Sequence, residues 1–483
     1  MAIPADAPEA TGKHFGDLNL SITGIGIEYP PHFLDPRALD TLCQRHYPDS
    51  PALTKIRMIN KYTGIDTRSA IGTVDHPMAN MSRAPTITEL CDIFLKDGVA
   101  LAVTAAQKAL HEASLSPADI THVVSTTCTN SANPGFDHYV CKALGITQPV
   151  EKVLLHGIGC SGGLASLRTA ANLALGSSFM GRRARVLVVA LEISSLLVRS
   201  ELDSAAELQE TRIGITLFSD CASALVLSNG IGGESEEPVY ELLGWDHRII
   251  PDTEHDLGFD VDPLGNLPLE SCSVSPRPSS YRLVVAPAFS SLLASIPSLP
   301  PDYAAPSDFD WALHPGGATI LTGVERAMSI TPEHMRASYD TYIKHGNSSS
   351  ATIISVMDRL RQKDMDDMAP GGKVKDFVIG CAFGPGIASE MCVLKRNLRH
   401  VRRVFAGEVT PPLTDSEPSE GSRSEGEGDE LEKEVEGVKK QTEELSAKLE
   451  TVCPQVPEQN EALGQAKFEK GSLEEALNGI DLD

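Results

Sequence analysis

Apolar positions along the chain fall into two spacings. Short alternating or unbroken apolar runs predict strands at Leu18–Ile27 (LNLSITGIGI), Thr121–Thr127, Val153–Leu155, Arg185–Glu192 (RVLVVALE), Phe309–His314, Phe377–Phe383 and Met391–Lys395. A spacing near 3.6 predicts helices at Asp35–His46, Val99–Ala113 (Leu101, Val103, Ala106, Leu110) and Phe136–Leu144, and one carrying Leu164, Leu167, Ala171 and Leu175. The continuous interior of RVLVVALE is that of a strand buried on both faces, and Val153–Leu155 also reads as buried. Strands alternating with helices predict an α/β layered fold. Residues 228–305 are rich in Pro, Gly and Ser with weaker periodicity and read as loops opening a second half-domain.

The pattern dissolves at both ends. Residues 1–17 are rich in Ala, Pro and Asp and are expected to be disordered. From Pro411 an acidic, low-complexity linker begins, and Glu430–Leu449 carries Leu431, Val435, Val438, Leu445 and Leu449 at heptad spacing, with Thr442 in the missing position. That seam suits either a short coiled coil or a surface helix. The formal charge is −25 over 483 residues, which disfavours nucleic acid as a partner. Ten cysteines without CxxC pairs point to free thiols in a reducing compartment. No apolar signal region or apolar run of membrane-spanning length is present, so a cytoplasmic chain without a membrane span is expected.

Candidate chemistry sits at the mouths of glycine-rich turns. Cys160 in GIGCSGG lies where the Val153–Leu155 strand feeds a helix, where first-turn N–H groups and the helix dipole favour a thiolate. Alone, it reads equally as a nucleophile or as a small buried hydrophobe. His314 in WALHPGGA ends an apolar run, and Asn347 in GNSSSA opens a helical segment. Together the three offer a nucleophile, a base and a polarising amide. Lys55–Arg68 is a basic stretch that would otherwise read as a solvated helix face.

Cys160 in GCSGG, His314 in HPGG, Asn347 in GNSSSA and the Gly384–Gly386 loop in AFGPG occur in the order seen in type III polyketide synthases. The chain resembles these chalcone-synthase-like enzymes of the thiolase superfamily from about residue 18 to about 397, and its long C-terminal extension resembles the fungal members. The resemblance implies a thiolase-like αβαβα fold from two similar halves: residues 18–235 with the nucleophile and 236–400 with His and Asn, followed by a tail at 401–483. It implies an acyltransferase that loads an acyl-CoA starter on Cys160 and extends it with malonyl-CoA by decarboxylative condensation, then cyclises the product. His314 and Asn347 would stabilise the enolate, and His314 would hold Cys160 as a thiolate–imidazolium pair. Phe218 matches a gatekeeper between CoA tunnel and cavity, and Tyr281 lies near a second gatekeeper position. Thr127, Ser194, Leu197, Ser349, Gly384, Pro385 and Gly386 match cavity-lining positions. Arg57 and Lys61 match a CoA-phosphate motif, whereas Lys55 stands two residues before Arg57 where relatives carry a lysine three before. Ser219 and Cys221 replace two glycines of the family pattern across Ile215–Leu227. A homodimer is implied, with no cofactor beyond the coenzyme A thioesters. With few bulky groups lining the cavity, a fatty acyl starter is expected.

Rival readings remain. A ketoacyl-ACP synthase III uses the same trio but a different His context. A thiolase needs a second cysteine, for which Cys381 and Cys392 stand near the AFGPG loop. A hydroxymethylglutaryl-CoA synthase needs a Glu base that no comparable motif offers. A degenerate fold acting through its C-terminal helix would need none of the trio.

Overall fold

The computed structural model describes residues 14–232, 237–254 and 278–400, with side chains from residue 284 in the last stretch. Eleven strands are found among them: β1 (Ser21–Glu28), β2 (His32–Leu34), β3 (Arg68–Ala70), β4 (His122–Thr126), β5 (Glu151–Leu155), β6 (Arg185–Ile193), β7 (Asp220–Ser228), β8 (Tyr240–Ile249), β9 (Asp310–Leu313), β10 (Phe377–Gly384) and β11 (Ala388–Arg396). Nine of them pair in the order β5-β4-β6-β7-β1-β8-β11-β10-β9, and β2 and β3 form a separate small ribbon.

The duplication expected from the resemblance is visible in this order. Outward from the centre, β1 pairs antiparallel with β7, β7 antiparallel with β6 and β6 parallel with β4. On the other side, β8 pairs antiparallel with β11, β11 antiparallel with β10 and β10 parallel with β9. The halves join where Ser21 and Ile22 of β1 face Glu241 and Tyr240 of β8.

Period-two alternation sorts the side chains into layers. From β6, Val186, Val188 and Ala190 join the helices Gly162–Phe179 and Thr352–Leu360 in a central core, which Val378 and Ala382 of β10 enter from the other half. The intervening Leu187, Val189 and Leu191 pack against helix Val99–Glu112, while Ile379, Cys381 and Phe383 pack with helices Pro278–Ala294 and Ala318–Met328. The result is the αβαβα layering of a thiolase-like fold, with two helices buried at its centre. Among the described residues, no helix is long and apolar enough to cross a membrane.

Two expectations need correction. Val153–Leu155 is a strand but not a buried one: β5 closes one edge of the sheet and is half-exposed. Residues 228–305 hold more than loops, for β8 and helix Pro278–Ala294 lie there. The helix was masked by Pro287 in its interior and by its flanking prolines and serines. Across Ile215–Leu227, the one-turn helix Gly214–Leu217 precedes β7, and Phe218 and Ser219 bridge them. The heptad seam lies outside the described residues.

Candidate active site

β5 delivers the chain to a single turn, Gly159–Ser161, that precedes the Gly162 helix and carries Cys160. The Gly384–Gly386 loop is seated on this turn. A Cβ at Gly384 would stand 2.3 Å from Ser161 Oγ and 2.6 Å from the Ile158 carbonyl, and one at Gly159 would meet Pro385 Cδ at 2.6 Å. Backbone therefore packs on backbone where only glycine fits.

His314 follows the last residue of β9, held by its N–H to the Cys381 carbonyl at 2.8 Å. Its buried ring has no hydrogen-bond partner on either nitrogen among the described residues. Asn347 is fixed between two residues of the β7 approach: its N–H donates to Leu217 O at 3.0 Å, and its carbonyl accepts from Ser219 N at 2.9 Å. Its amide Nδ2 donates to Gly316 O at 3.2 Å, and a Cβ on Gly316 would lie 3.4 Å from His314 Nε2. The amide is thus fastened beside the imidazole, with a second N–H left to offer. On its other side, Asn347 Oδ1 accepts the Ser349 N–H at 2.8 Å and holds Ser349 at φ 46°, in the left-handed region. Ser349 Oγ then donates to Cys160 Sγ at 3.6 Å. A chain of hydrogen bonds runs from sulfur through Ser349 and Asn347 to Gly316, against which the imidazole packs.

The resting ion pair anticipated from the sequence is absent. No hydrogen bond joins Cys160 to His314 among the described residues. Burial pushes the Cys160 thiol up to about 11, against the opposing pull of the Ser349 and Asn347 side chains, and lowers the His314 imidazole to about 3. Desolvation disfavours the charged form of both groups, which favours thiol and neutral imidazole at rest.

A carboxylate cluster behind the sulfur is the part that sequence reasoning missed. Glu192, buried near the end of β6, accepts hydrogen bonds from Ser350 Oγ, from Thr129 Oγ1 at 2.9 Å and Thr127 Oγ1 at 3.3 Å, and from Cys128 N at 3.1 Å. Cys128 Sγ lies 3.4 Å from Glu192 Oε2 and 3.3 Å from Ser349 Oγ, so the cluster reaches the serine that touches Cys160. Burial raises the Glu192 carboxyl above its ordinary range. The available signal was a lone acidic residue closing the apolar run of Val186–Leu191.

The remaining candidates spread outward. Thr127 and Ser194 are buried, and Leu197 is half-buried with the outer core. Phe218 is half-buried, bridges to Asn347 and lays its ring 3.2 Å from where a Gly214 Cβ would be. Tyr281 falls in helix Pro278–Ala294, with its side chain outside the described residues. Lys55, Arg57 and Lys61 lie on helix Pro51–Lys61, where Arg57 Nε donates to Asp40 at 2.7 Å and NH1 lies 3.7 Å from Asp49, while Lys61 is exposed. Arg57 is therefore already neutralised. Cys381 and Cys392 are buried in β10 and β11 with thiols raised by burial, poor candidates for a second reactive cysteine. No cluster able to hold a metal ion exists among the described residues.

Fold and site together define a condensing enzyme of the thiolase-like class. Comparison narrows this: the family model for the N-terminal domain of chalcone and stilbene synthases matches residues 40–231, and that for the C-terminal domain matches residues 303–397. The chain belongs to the chalcone and stilbene synthase family, the type III polyketide synthases, and is an acyltransferase. It is 39% identical over 401 residues to the type III polyketide synthase pspB of Penicillium soppii, covering 80% of this chain and 98% of that one. It is 38% identical to the acylalkylpyrone synthase csyB of Aspergillus oryzae, covering 78% of this chain and 94% of that one. Among solved structures it is similar to a fungal type III polyketide synthase, ORAS, and to a type III pentaketide synthase from Neurospora crassa, each with TM-score 0.76, 62% identity, and coverage of 78% of this chain and all of the other.

Proposed function

We propose that the chain condenses a fatty acyl-CoA starter with malonyl-CoA units, using Cys160, His314 and Asn347, and cyclises the product to a pyrone, resorcinol or resorcylic acid. The observation that carries this reading is the chain of hydrogen bonds from Cys160 through Ser349 and Asn347 to the Gly316 carbonyl, with the His314 ring packed beside Gly316. As the starter thioester approaches, the Cys160 proton passes to His314, and the thiolate attacks the acyl carbon and expels CoA as thiolate. The imidazolium, lying in a site that disfavours it, returns its proton to the departing CoA sulfur. Malonyl-CoA then loses CO2, and the enolate oxygen accepts hydrogen bonds from His314 Nε2–H and the free N–H of Asn347. A neutral imidazole is the form that can donate without first trapping the oxygen as an ion pair. The enolate carbon attacks the Cys160 thioester and releases the cysteine, giving a β-ketoacyl-CoA two carbons longer that can reload.

The small groups at Thr127, Ser194 and Ser349, with Leu197, favour an unbranched aliphatic starter, in keeping with relatives named as acylalkylpyrone and pentaketide synthases. Arg57 and Lys61 would meet the CoA phosphates if these displace the aspartates from Arg57. The carbon–carbon chemistry needs no cofactor beyond the CoA thioesters, and the working form is a homodimer in the cytoplasm. The test is steady-state turnover with hexanoyl-, palmitoyl- and coumaroyl-CoA, with products read by mass spectrometry. Preference for a long aliphatic starter is expected, and preference for coumaroyl-CoA would overturn the starter assignment.

A further inference from the structure

Arg68 lies at the start of β3 and is buried, yet among the described residues its guanidinium is held by neutral oxygens alone. Nε donates to the Thr216 carbonyl at 3.0 Å, NH2 donates to the same carbonyl, and NH2 also reaches Thr63 Oγ1 at 3.4 Å. Burial pulls the guanidinium down to about 10, so it stays a cation at neutral pH. A buried cation without a carboxylate is costly, and its retention invites the question of what it holds.

It holds the platform of Asn347. Thr216 and Leu217 end the one-turn helix Gly214–Leu217, whose last carbonyls have no partner within so short a helix. Arg68 takes the Thr216 carbonyl, and the Asn347 N–H takes the Leu217 carbonyl at 3.0 Å. Arg68 also lines the other side of the Asn347 turn: a Cβ on Gly346 would lie 3.4 Å from Arg68 Cγ and 3.1 Å from Leu217 O. Tyr342 closes the ring, donating its hydroxyl to Thr63 O at 2.9 Å and accepting the Gly346 N–H on its carbonyl at 3.0 Å.

We propose that Arg68 is a positioning residue for malonyl-CoA decarboxylation, locking the Thr216 carbonyl so that the Leu217–Asn347 pairing aims the Asn347 amide at the enolate oxygen. The proposal rests on the role given above to Asn347. It assigns Arg68 to one half-reaction: the clamp bears on Asn347 through the adjoining Leu217 carbonyl, whereas starter loading depends on Cys160, carried on its own turn beneath the Gly384 loop and reached from Asn347 only through Ser349.

The test compares Arg68→Gln, Arg68→Lys and Asn347→Ala with the unaltered chain. Two rates are measured: starter loading on Cys160, by intact-protein mass, and conversion of malonyl-CoA to acetyl-CoA without a starter. For Arg68→Gln, decarboxylation is expected to fall about ten- to a hundredfold, the effect of a small misplacement of a reacting group, with loading retained. Arg68→Lys, which keeps the charge but loses the fork of donors, should recover part of that loss. Unchanged decarboxylation in Arg68→Gln, or an equal fall in loading and decarboxylation in the folded variant, overturns the proposal. If Arg68→Gln does not fold, Arg68→Lys decides: a selective fall in decarboxylation supports the assignment, and unchanged or equally reduced rates overturn it. Full decarboxylation by Asn347→Ala would instead overturn the reading of the site, which separates the two failures.

Discussion

At the scale of single residues, the neutral pair at rest makes a reactivity prediction with a definite sign. Because burial raises the Cys160 thiol to about 11, the thiolate fraction grows steadily with pH across the range in which the protein is handled. Carbamidomethylation of Cys160 by iodoacetamide should therefore keep accelerating from pH 7 to pH 9. A preformed ion pair would instead give a rate that levels off below neutrality, since the thiolate would already be fully formed. Pre-steady-state alkylation against pH distinguishes the two. The division of labour gives a second expectation. Cys160→Ala should abolish starter loading and chain extension, yet leave decarboxylation of malonyl-CoA, which calls only on His314 and Asn347. Asn347→Ala should do the reverse, with decarboxylation down about a hundredfold or more for loss of one oxyanion donor. Monitoring CO2 or acetyl-CoA release beside covalent loading checks both.

At the scale of elements, the site depends on how strands and turns meet, and here the sequence was legible in some places and silent in others. Cys160, His314 and Asn347 were readable because each ends or opens an element beside glycines whose spacing survives in the linear chain. Their mutual contact was not readable, since it runs through the Gly316 carbonyl and the backbone turn at Ser349. The β6 strand could be placed to within a residue from its unbroken apolar run, whereas the exposure of β5 follows from its place at the sheet edge. That place is a tertiary fact with no local signature. Glu192 looked like the polar end of a strand, and only the convergence of Ser350, Thr129 and Cys128 gives it a role. One element-level prediction concerns β9, which carries His314. Asp310 at its start forms a two-pronged ion pair with Arg336, both contacts at 2.8 Å and both side chains buried. Arg336→Met would strand the carboxylate, and a loss of about 3–5 kcal/mol in urea-induced unfolding is expected.

At the scale of the whole molecule, the question is what the catalytic body requires from the rest of the chain. His400, the last described residue, contacts Glu112 at 3.2 Å, in a buried cluster where Arg361 meets the same carboxylate at 2.6 and 2.9 Å. His400 thus ties the segment after β11 to helix Val99–Glu112. A chain ending just after this residue should keep its fold and turnover, and loss of all activity in that truncation would show that residues beyond 400 contribute to the active enzyme. Among the described residues the sheet ends at β5, whose Val153, Leu154 and Leu155 are half-exposed beside a row of backbone groups that β4 cannot satisfy on its far side. An apolar sheet edge of this kind invites pairing with another strand. The edge also leads within five residues to Cys160, so a second copy bound there would brace the turn that carries the nucleophile. Charges placed on this edge oppose such pairing in either register. If the proposed homodimer pairs through this edge, Val153→Lys combined with Leu155→Lys is expected to convert it to monomer in light scattering at micromolar concentration, with turnover falling in parallel as the turn loosens. A double variant that stays dimeric would place the interface elsewhere, and one that is monomeric yet fully active would show that the Cys160 turn is rigid without a partner.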